Sequence, residues 1–269
     1  MAPQMMTRAL MPTISETALR EHLEQVSRCF PEPVERMHLA NLDRTLFDIG
    51  LVTERRGVTG RLVDLGGGVS LFSVGCAMLG METVLIDDFA DPQNLEHGPS
   101  LLAEHRAAGV DIVERNIVED SVDFPPDRLD VAVSFHSIEH WHRSPKRLFA
   151  DVRQALRPGG LFILAGPNNV NLRKRLTALV GRAKWSAMAD WYEAELFRGH
   201  VREPDVGDLH YIAADMGLEG VEIIGRNWLG RRSPHRATRA ATAVVDRVLR
   251  LAPSLCSDIY MIGTKPSAG

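Results

Sequence analysis

Three glycines and two carboxylates are the residues of this chain best suited to bind a nucleotide. Gly66, Gly67 and Gly68 are consecutive, Asp64 stands just before them, and Asp87 follows further along. Glycine has no Cβ, so a turn built from it lets a ligand lie against the backbone. A helix that begins at such a turn points free N–H groups at the ligand. A carboxylate after the next strand can accept hydrogen bonds from ribose hydroxyls.

The elements around these residues have the order of a βαβ unit. The apolar run 62–65 predicts a buried strand, and 69–79 has the apolar side of a short helix. Residues 83–86 predict a second strand, which ends at Asp87 and Asp88. Strand, glycine turn, helix, strand and acid in this order predict a site for a dinucleotide or an adenosyl group.

The glycine segment resembles a known motif. It departs from the dinucleotide pattern G-x-G-x-x-G because position 71 is Leu. With Asp64, it resembles motif I and the acidic loop of class I S-adenosylmethionine-dependent methyltransferases, written D/E-x-G-x-G-x. Later motifs of that class are matched in order and spacing by Ile138-Glu139-His140, Leu156-Arg157-Pro158-Gly159-Gly160 and Pro167-Asn168. The resemblance, to the type 11-like family, covers about residues 60–168.

The resemblance implies an α/β fold with a doubly wound, Rossmann-like sheet of seven strands. Its last strand is expected to be antiparallel and at the sheet edge. The remaining strands are predicted at 111–115, 129–135, 161–165, 221–224 and 257–263, with residues 157–160 as a sharp turn. Helices are predicted at 15–28, 34–50, 99–108, 144–156, 205–216 and 235–251, with Gly50 ending the second. Alternating strands and helices predict a largely parallel sheet.

The chain is expected to divide into four parts. Residues 1–58 form an N-terminal helical part that covers the cleft or merely caps one edge of the core. Residues 59–168 are the cofactor-binding core, and 169–205 are a helical insertion expected to cover the substrate. Residues 206–269 complete the sheet and carry an amphipathic helix.

S-adenosylmethionine is the cofactor that the resemblance implies. Asp87 is expected to hold the ribose, while Gly66 and Gly68 let the methionine part approach the backbone. Asp64 is expected to act through the loop. The expected cofactor site comprises Asp64, Gly66, Gly67, Gly68, Asp87, Asp88, Asn116, Ile117, Ser134 and Phe135. A turn residue at a strand end is an equal interpretation of Asn116.

Histidines are the candidate catalytic bases. A hydroxyl acceptor has a pKa far above 7 and needs a base near its proton, which histidine can supply. His136 and His140 follow the fourth strand at the mouth of the cleft, and His200 lies in the insertion. Packing around the cofactor is an equal interpretation of His136 and His140.

Residues 136–140 also spell H-x-x-E-H, a pattern of zinc metalloproteases. That pattern binds zinc on a regular helix with a third ligand downstream, whereas here it begins directly after a buried strand. A paired Asp-Asp or Asp-Asn signature for a divalent metal is also missing from the sequence. No metal is therefore predicted.

The insertion suggests a class of acceptor. It carries basic and aromatic residues: Arg173, Lys174, Arg175, Arg182, Lys184, Trp185, Trp191, Tyr192 and Phe197. The aromatic rings stack on a sugar or pack an inserted helix. With the resemblance to type 11-like members that act on sugars, they favour O-methylation of a sugar, polysaccharide, lipid or other small metabolite. Nucleic acid is not an expected acceptor, because residues 134–137 lack the D/N/S-P-P-Y/F loop of enzymes that methylate it.

The segment 226–250 is rich in arginine. Asp246 is the acid that accompanies Arg226, Arg231, Arg232, Arg236, Arg239, Arg247 and Arg250. These arginines predict either a patch that binds an anionic lipid surface or a charged acceptor, or the solvated face of an amphipathic helix. The solvated face is the favoured interpretation.

Composition limits the remaining possibilities. The 269 residues are 45% hydrophobic and 25% charged, and the net charge of −4 gives no attraction to nucleic acid. Cys29, Cys76 and Cys256 form no CxxC pair, and the N-terminus has no continuous apolar segment of a signal peptide. A cytoplasmic protein is expected, with no run of about 18 apolar residues to span a membrane.

Two other classes of protein stay open. An NAD(P)-linked oxidoreductase would share the sheet, but the chain lacks G-x-G-x-x-G and a plausible Tyr-x-x-x-Lys pair. A non-catalytic binding or scaffold protein could keep the same fold, and the sequence leaves this open because it does not fix the base.

Overall fold

A computed structural model describes residues 14–91, 96–120, 122–182, 186–195, 197–228 and 235–267. Seven strands form one sheet with the order β3-β2-β1-β4-β5-β7-β6. The strands are β1 Arg61–Leu65, β2 Glu82–Asp87, β3 Asp111–Glu114, β4 Leu129–Phe135, β5 Leu156–Pro167, β6 Glu219–Arg226 and β7 Asp258–Thr264. Strands β1 to β5 pair in parallel, and β7 is antiparallel to both of its neighbours. This is the predicted α/β fold.

Helices cover both faces of the sheet. They are α1 Glu16–Ser27, α2 Glu32–Arg56, α3 Leu71–Leu79, α4 Ala103–Ala107, α5 Lys146–Ala155, α6 Leu172–Leu179, α7 Met188–Tyr192, α8 Val206–Asp215 and α9 Arg236–Leu249. Short 3-10 turns occur at Gly98–Leu102, Ile138–His140 and Pro253–Leu255. Helices α1, α2 and α3 pack on one face of the sheet and form one apolar core with it. Helices α5 and α8 form a second apolar core on the opposite face. The described helices include none that is both long and apolar enough to cross a bilayer.

The last strand is antiparallel, as predicted, but the prediction of its place was wrong. β7 pairs with β5 on one side and β6 on the other, so β6 forms the edge. The residues Ile259, Tyr260 and Met261 of β7 are fully buried, whereas Glu219 and Glu222 of β6 are exposed. A strand that is apolar on both faces is stabilised inside a sheet, and a strand with charged side chains tolerates the edge.

Two predicted boundaries also differ from the structure. α2 continues through Gly50 and ends before Gly57, whose φ is +74°. A glycine inside a helix costs about 1 kcal/mol, and burial of Ile49, Leu51 and Val52 in the core outweighs that cost. Residues 157–160, predicted as a turn, belong to β5 at a point where its register with β4 is irregular.

The predicted amphipathic helix forms as α9, but its apolar face does not pack into the core. Val244, Val245 and Val248 are 65%, 52% and 61% exposed. The buried residue of α9 is instead Asp246, which accepts hydrogen bonds from Asn227 and forms an ion pair with Arg250. Arg231 and Arg232 lie outside the described residues.

Candidate active site at the carboxyl ends of β1, β2 and β4

A cavity of about 860 Å³ opens at the carboxyl ends of β1, β2 and β4. The strand order reverses between β1 and β4, which is where open α/β sheets bind their ligands. The glycine turn, the acids after β2, one face of α2 and the segment after β4 line the cavity, together with Phe197 and Arg198.

The first two glycines of the turn have no room for a side chain. Gly66 has a φ of +74° and Gly68 a φ of +56°, both in the left-handed region that glycine favours. A Cβ at Gly66 would lie 2.0 Å from the Ser137 hydroxyl oxygen, and one at Gly67 would lie 2.2 Å from a carboxylate oxygen of Asp64. A Cβ at Gly68 would face open space, with a carboxylate oxygen of Asp87, 4.0 Å away, as its nearest neighbour. A ligand can therefore approach the backbone there.

Asp87 joins the end of β2 to the glycine turn. Its carboxylate accepts the backbone N–H of Gly68 at 3.0 Å and that of Phe89 at 2.7 Å. Burial raises the pKa of Asp87 to about 6, against the opposing effect of the Phe89 hydrogen bond. The carboxylate thus lies on the cavity wall, at the position from which an acid after the second strand reaches a ribose.

Asp64 lies beneath the turn. Its Oδ2 accepts a hydrogen bond from the Ser73 hydroxyl at 2.6 Å, which ties β1 to α3. Burial raises the pKa of Asp64 to about 7. Its Oδ1 has no hydrogen-bond partner among the described residues.

Two buried histidines that the sequence did not single out also hold the turn. His38 of α2 bonds through Nε2 to the Val69 carbonyl at 2.7 Å, and His105 of α4 bonds to the Ser70 carbonyl at 2.8 Å. Burial lowers the pKa of both rings, to about 4 for His105. Both are therefore neutral at pH 7, with Nε2–H as the donor.

Asn116 fulfils the turn role and also lines the cavity. Its Oδ1 accepts the backbone N–H groups of Val118 and Glu119, each at 3.2 Å. Its amide donates to Asp88 at 3.1 Å, so the two candidate residues form one hydrogen-bonded unit at the ends of β2 and β3.

The pleat of β4 separates two other candidates. Phe135 lines the cavity, as does Ile117, which supplies a second apolar wall. Ser134 is fully buried and is not among the residues that line the cavity. Successive residues of a strand point to opposite faces, so Phe135 lines the cavity and Ser134 does not.

His136 follows β4 in an unusual conformation. Its φ is +52°, and its backbone N–H donates to the Ala165 carbonyl at 2.9 Å. The ring lies between two carboxylates, with Nδ1 3.7 Å from Glu139 and Nε2 3.7 Å from Asp258. Positive φ in a residue other than glycine is uncommon and clusters at functional sites.

One face of α2 lies opposite His136 and was missed from the sequence. Asn41, Arg44, Thr45 and Asp48 all line the cavity. Burial raises the pKa of Asp48 to about 7, against the lowering effects of His136 and Arg44. The sequence contains a signal for this face of α2, because these polar residues recur at helical spacing within an apolar segment.

His140 lines the cavity, and His200 packs against it from outside the lining, with the two ring centroids 5.0 Å apart. The backbone around them is also joined, because the Val201 N–H donates to the Glu139 carbonyl at 2.7 Å. The structure therefore brings all three candidate histidines to one end of the cleft.

The insertion contributes less to the cavity than its aromatic content suggested. Trp191 and Tyr192 are 57% and 73% exposed and do not line it, whereas Phe197 does. Lys174 pairs with Glu203, and Arg175 bonds to the carbonyls of Val170 and Ser254. Lys184 and Trp185 lie outside the described residues.

Comparison with known proteins shows the family of this chain. A family model described as "Methyltransferase domain" matches residues 19–223. No curated protein matches the sequence. A match of this extent shows that the chain belongs to this methyltransferase family, and its fold is that of class I S-adenosylmethionine-dependent enzymes.

Solved structures show the same fold at low identity. A methyltransferase of Archaeoglobus fulgidus is 14% identical with a TM-score of 0.53, covering 82% of this chain and 94% of its own. One from Mesorhizobium loti is 21% identical with a TM-score of 0.50, covering 77% and 92%. Phosphoethanolamine N-methyltransferase 2 of Haemonchus contortus, bound to S-adenosylmethionine, is 15% identical with a TM-score of 0.54, covering 94% and 58%.

S-adenosylmethionine is therefore the cofactor, and the residues present fit it. The cavity volume lies within the range of cofactor sites. The open backbone at Gly68 suits the methionine part, the Asp87 carboxylate suits the ribose, and Ile117 and Phe135 offer apolar surfaces to a base.

Proposed function

We propose that this methyltransferase methylates a hydroxyl oxygen of a sugar, a polysaccharide or another small metabolite. The supporting observation is the position of His136, a ring on the cavity wall between two carboxylates. An alcohol needs a base because its proton must leave as the oxygen acquires the methyl group. An uncharged amine needs no such group before it attacks.

The roles of the residues follow from their places. The cofactor supplies a methyl group already activated on a sulfonium. His136 accepts the hydroxyl proton, and Glu139 and Asp258 stabilise the imidazolium that results. Asn41 and Thr45 of α2 offer polar groups to a hydroxylated acceptor, and the glycine turn with Asp87 fixes the donor.

Two binding and turnover measurements test this proposal. Calorimetric titration with S-adenosylmethionine, S-adenosylhomocysteine and NADH should show micromolar binding of the first two only. Asp87→Ala should abolish that binding. NADH binding instead would favour an oxidoreductase.

The acceptor is then sought by mass spectrometry in a panel of neutral sugars, sugar phosphates, oligosaccharides, phenols and primary amines. The expected product carries the methyl group on oxygen. Methylation of amines alone would overturn the assignment of a hydroxyl acceptor. Cofactor binding with no turnover across the panel would favour the non-catalytic alternative.

A second proposal concerns α9, which we propose makes weak contact with an anionic lipid surface. Val244, Val245 and Val248 present an apolar face, and Arg236 and Arg247 are exposed on the same helix. Apolar surface flanked by cations is suited to anionic headgroups. Flotation with vesicles containing phosphatidylserine, but not with phosphatidylcholine alone, is expected. Val244→Asp with Val248→Asp should abolish it, and equal flotation of this variant would refute the contact.

A further inference from the structure

Glu139, His140 and His200 come together although the last is remote in sequence. One ligand atom from each lies within 4.8 Å of the other two. The arrangement is not the helical zinc pattern that the sequence spells at 136–140, because Ile138–His140 is a single 3-10 turn. The third group comes from the insertion, which hydrogen bonds from Val201 and Arg202 to the Glu139 carbonyl hold in place.

Both histidines are oriented in the way that metal ligands are. Nδ1 of His140 bonds to the Arg198 carbonyl at 2.9 Å, and Nδ1 of His200 bonds to Glu203 at 2.8 Å. With Nδ1 as the donor in each ring, Nε2 keeps its lone pair. A carbonyl or carboxylate behind a ring nitrogen is the usual support of a metal-binding histidine.

The Glu139 carboxylate has an oxygen available for a ligand. The Glu139 side chain is only 2% exposed, and its Oε2 has no hydrogen-bond partner among the described residues. Buried charged groups are stabilised when they are paired or coordinate a metal.

We infer that Glu139, His140 and His200 bind one divalent transition-metal ion at the acceptor end of the cleft. Two imidazoles and a carboxylate suit zinc, cobalt, iron or manganese better than magnesium or calcium. Tetrahedral zinc ligands stand roughly 3.4 Å apart, given metal–ligand bonds of about 2.0–2.1 Å. Small side-chain rotations would therefore close the site.

Three protein ligands leave coordination positions for water or substrate. Because His140 lines the cavity, a metal held by its ring would lie beside the cavity. A metal there would bind the acceptor hydroxyl, lower its pKa and ease the transfer of its proton to His136. This catalytic part rests on the proposed function, whereas metal binding does not.

The test measures binding without an acceptor. The full chain, freed of metal with a chelator, is titrated with Co²⁺ followed by visible absorption and with Zn²⁺ followed by calorimetry. One ion per chain is expected. His140→Ala and His200→Ala should abolish the cobalt spectrum, and Glu139→Gln should weaken binding at least about tenfold.

His142→Ala is the matched control, since its exposed ring bonds only to the Phe197 carbonyl among the described residues. It should leave metal binding unchanged. Retained S-adenosylmethionine binding shows that each variant is folded. No metal bound by the wild type, or equal binding by the ligand variants, would overturn the inference. Failure of methyl transfer alone would overturn only the proposed function.

Discussion

The proposed cofactor end and the proposed acceptor end of one cleft are built from the chain in different ways. At the cofactor end, the turn 66–68 and the carboxylates of Asp64 and Asp87 come from one continuous βαβ segment. At the acceptor end, Asp48, His136, His200 and Asp258 come from α2, the end of β4, the insertion and β7. The first site is fixed mainly by local geometry and the second by packing between distant segments.

This difference predicts that mutations at the two ends affect different functions. At the cofactor end, the Asp87 carboxylate is held by backbone N–H donors, so changes there should affect cofactor affinity. At the acceptor end, His136 and His200 lie against carboxylate side chains, so changes there should affect turnover or metal binding and leave cofactor affinity intact.

The largest effect is expected for His136→Asn. Asparagine tolerates positive φ, so the backbone at φ +52° is kept while the base is lost. Methyl transfer should fall roughly 100- to 10,000-fold, the usual contribution of a general base. The dissociation constant for S-adenosylmethionine, measured by calorimetry, should stay within about twofold if the two ends are independent. An equal loss of affinity would contradict the comparison.

Gly66→Ala should act at the opposite end. The added Cβ meets the Ser137 hydroxyl at 2.0 Å, and the residue must keep a φ of +74°. We expect cofactor affinity to fall about 100-fold, which corresponds to roughly 2.7 kcal/mol. Gly181→Ala is the control, because its φ is +71° with open space around the added atom. Equal effects of both variants on affinity would show that backbone strain alone is responsible.

Glu203→Gln probes the support of the inferred metal site. Glu203 accepts from His200 and pairs with Lys174. The neutral amide should weaken Co²⁺ binding roughly 10- to 100-fold, as loss of a supporting partner usually does. Cofactor affinity should not change. Unaltered Co²⁺ affinity would mean that Glu203 does not position His200.

The change of cofactor affinity with pH should be the smallest of the predicted effects. In its expected role, Asp87 accepts the ribose hydroxyls in its ionised form, so cofactor affinity should fall as the pH drops through about 6. The stability of the free protein should change with pH in the opposite direction. The pKa of Asp87 is raised in the folded state, so protonation of Asp87 favours folding. This contribution is complete below about pH 4 and is lost as the pH rises through about 6.

Calorimetry and thermal melting between pH 5 and pH 8 would measure both trends. Asp87→Asn should flatten the dependence of affinity on pH. If the variant kept the wild-type slope, another group would be responsible.

The βαβ unit could be predicted from the sequence because apolar runs, glycines and a terminal acid are local signals, whereas the antiparallel last strand was implied by the resemblance to class I methyltransferases. The interior position of β7 could not be predicted from the sequence, because the choice between edge and interior depends on which of two strands buries both faces. The prediction that Gly50 ends α2 was wrong for a similar reason, because burial of its neighbours outweighs the low helix propensity of glycine. The pleat of β4 keeps Ser134 out of the cavity lining, whereas Phe135 beside it lines the cavity.

By itself the sequence determined the class of fold, the methyltransferase family and the cofactor end, since the chemistry there lies in a short stretch and in backbone conformations that only glycine allows. Tertiary structure alone decided the acceptor end. It placed Asp48 opposite His136 and His200 beside Glu139, contacts between residues far apart in the chain. Such contacts depend on how separate elements pack, and no local pattern of residues encodes that.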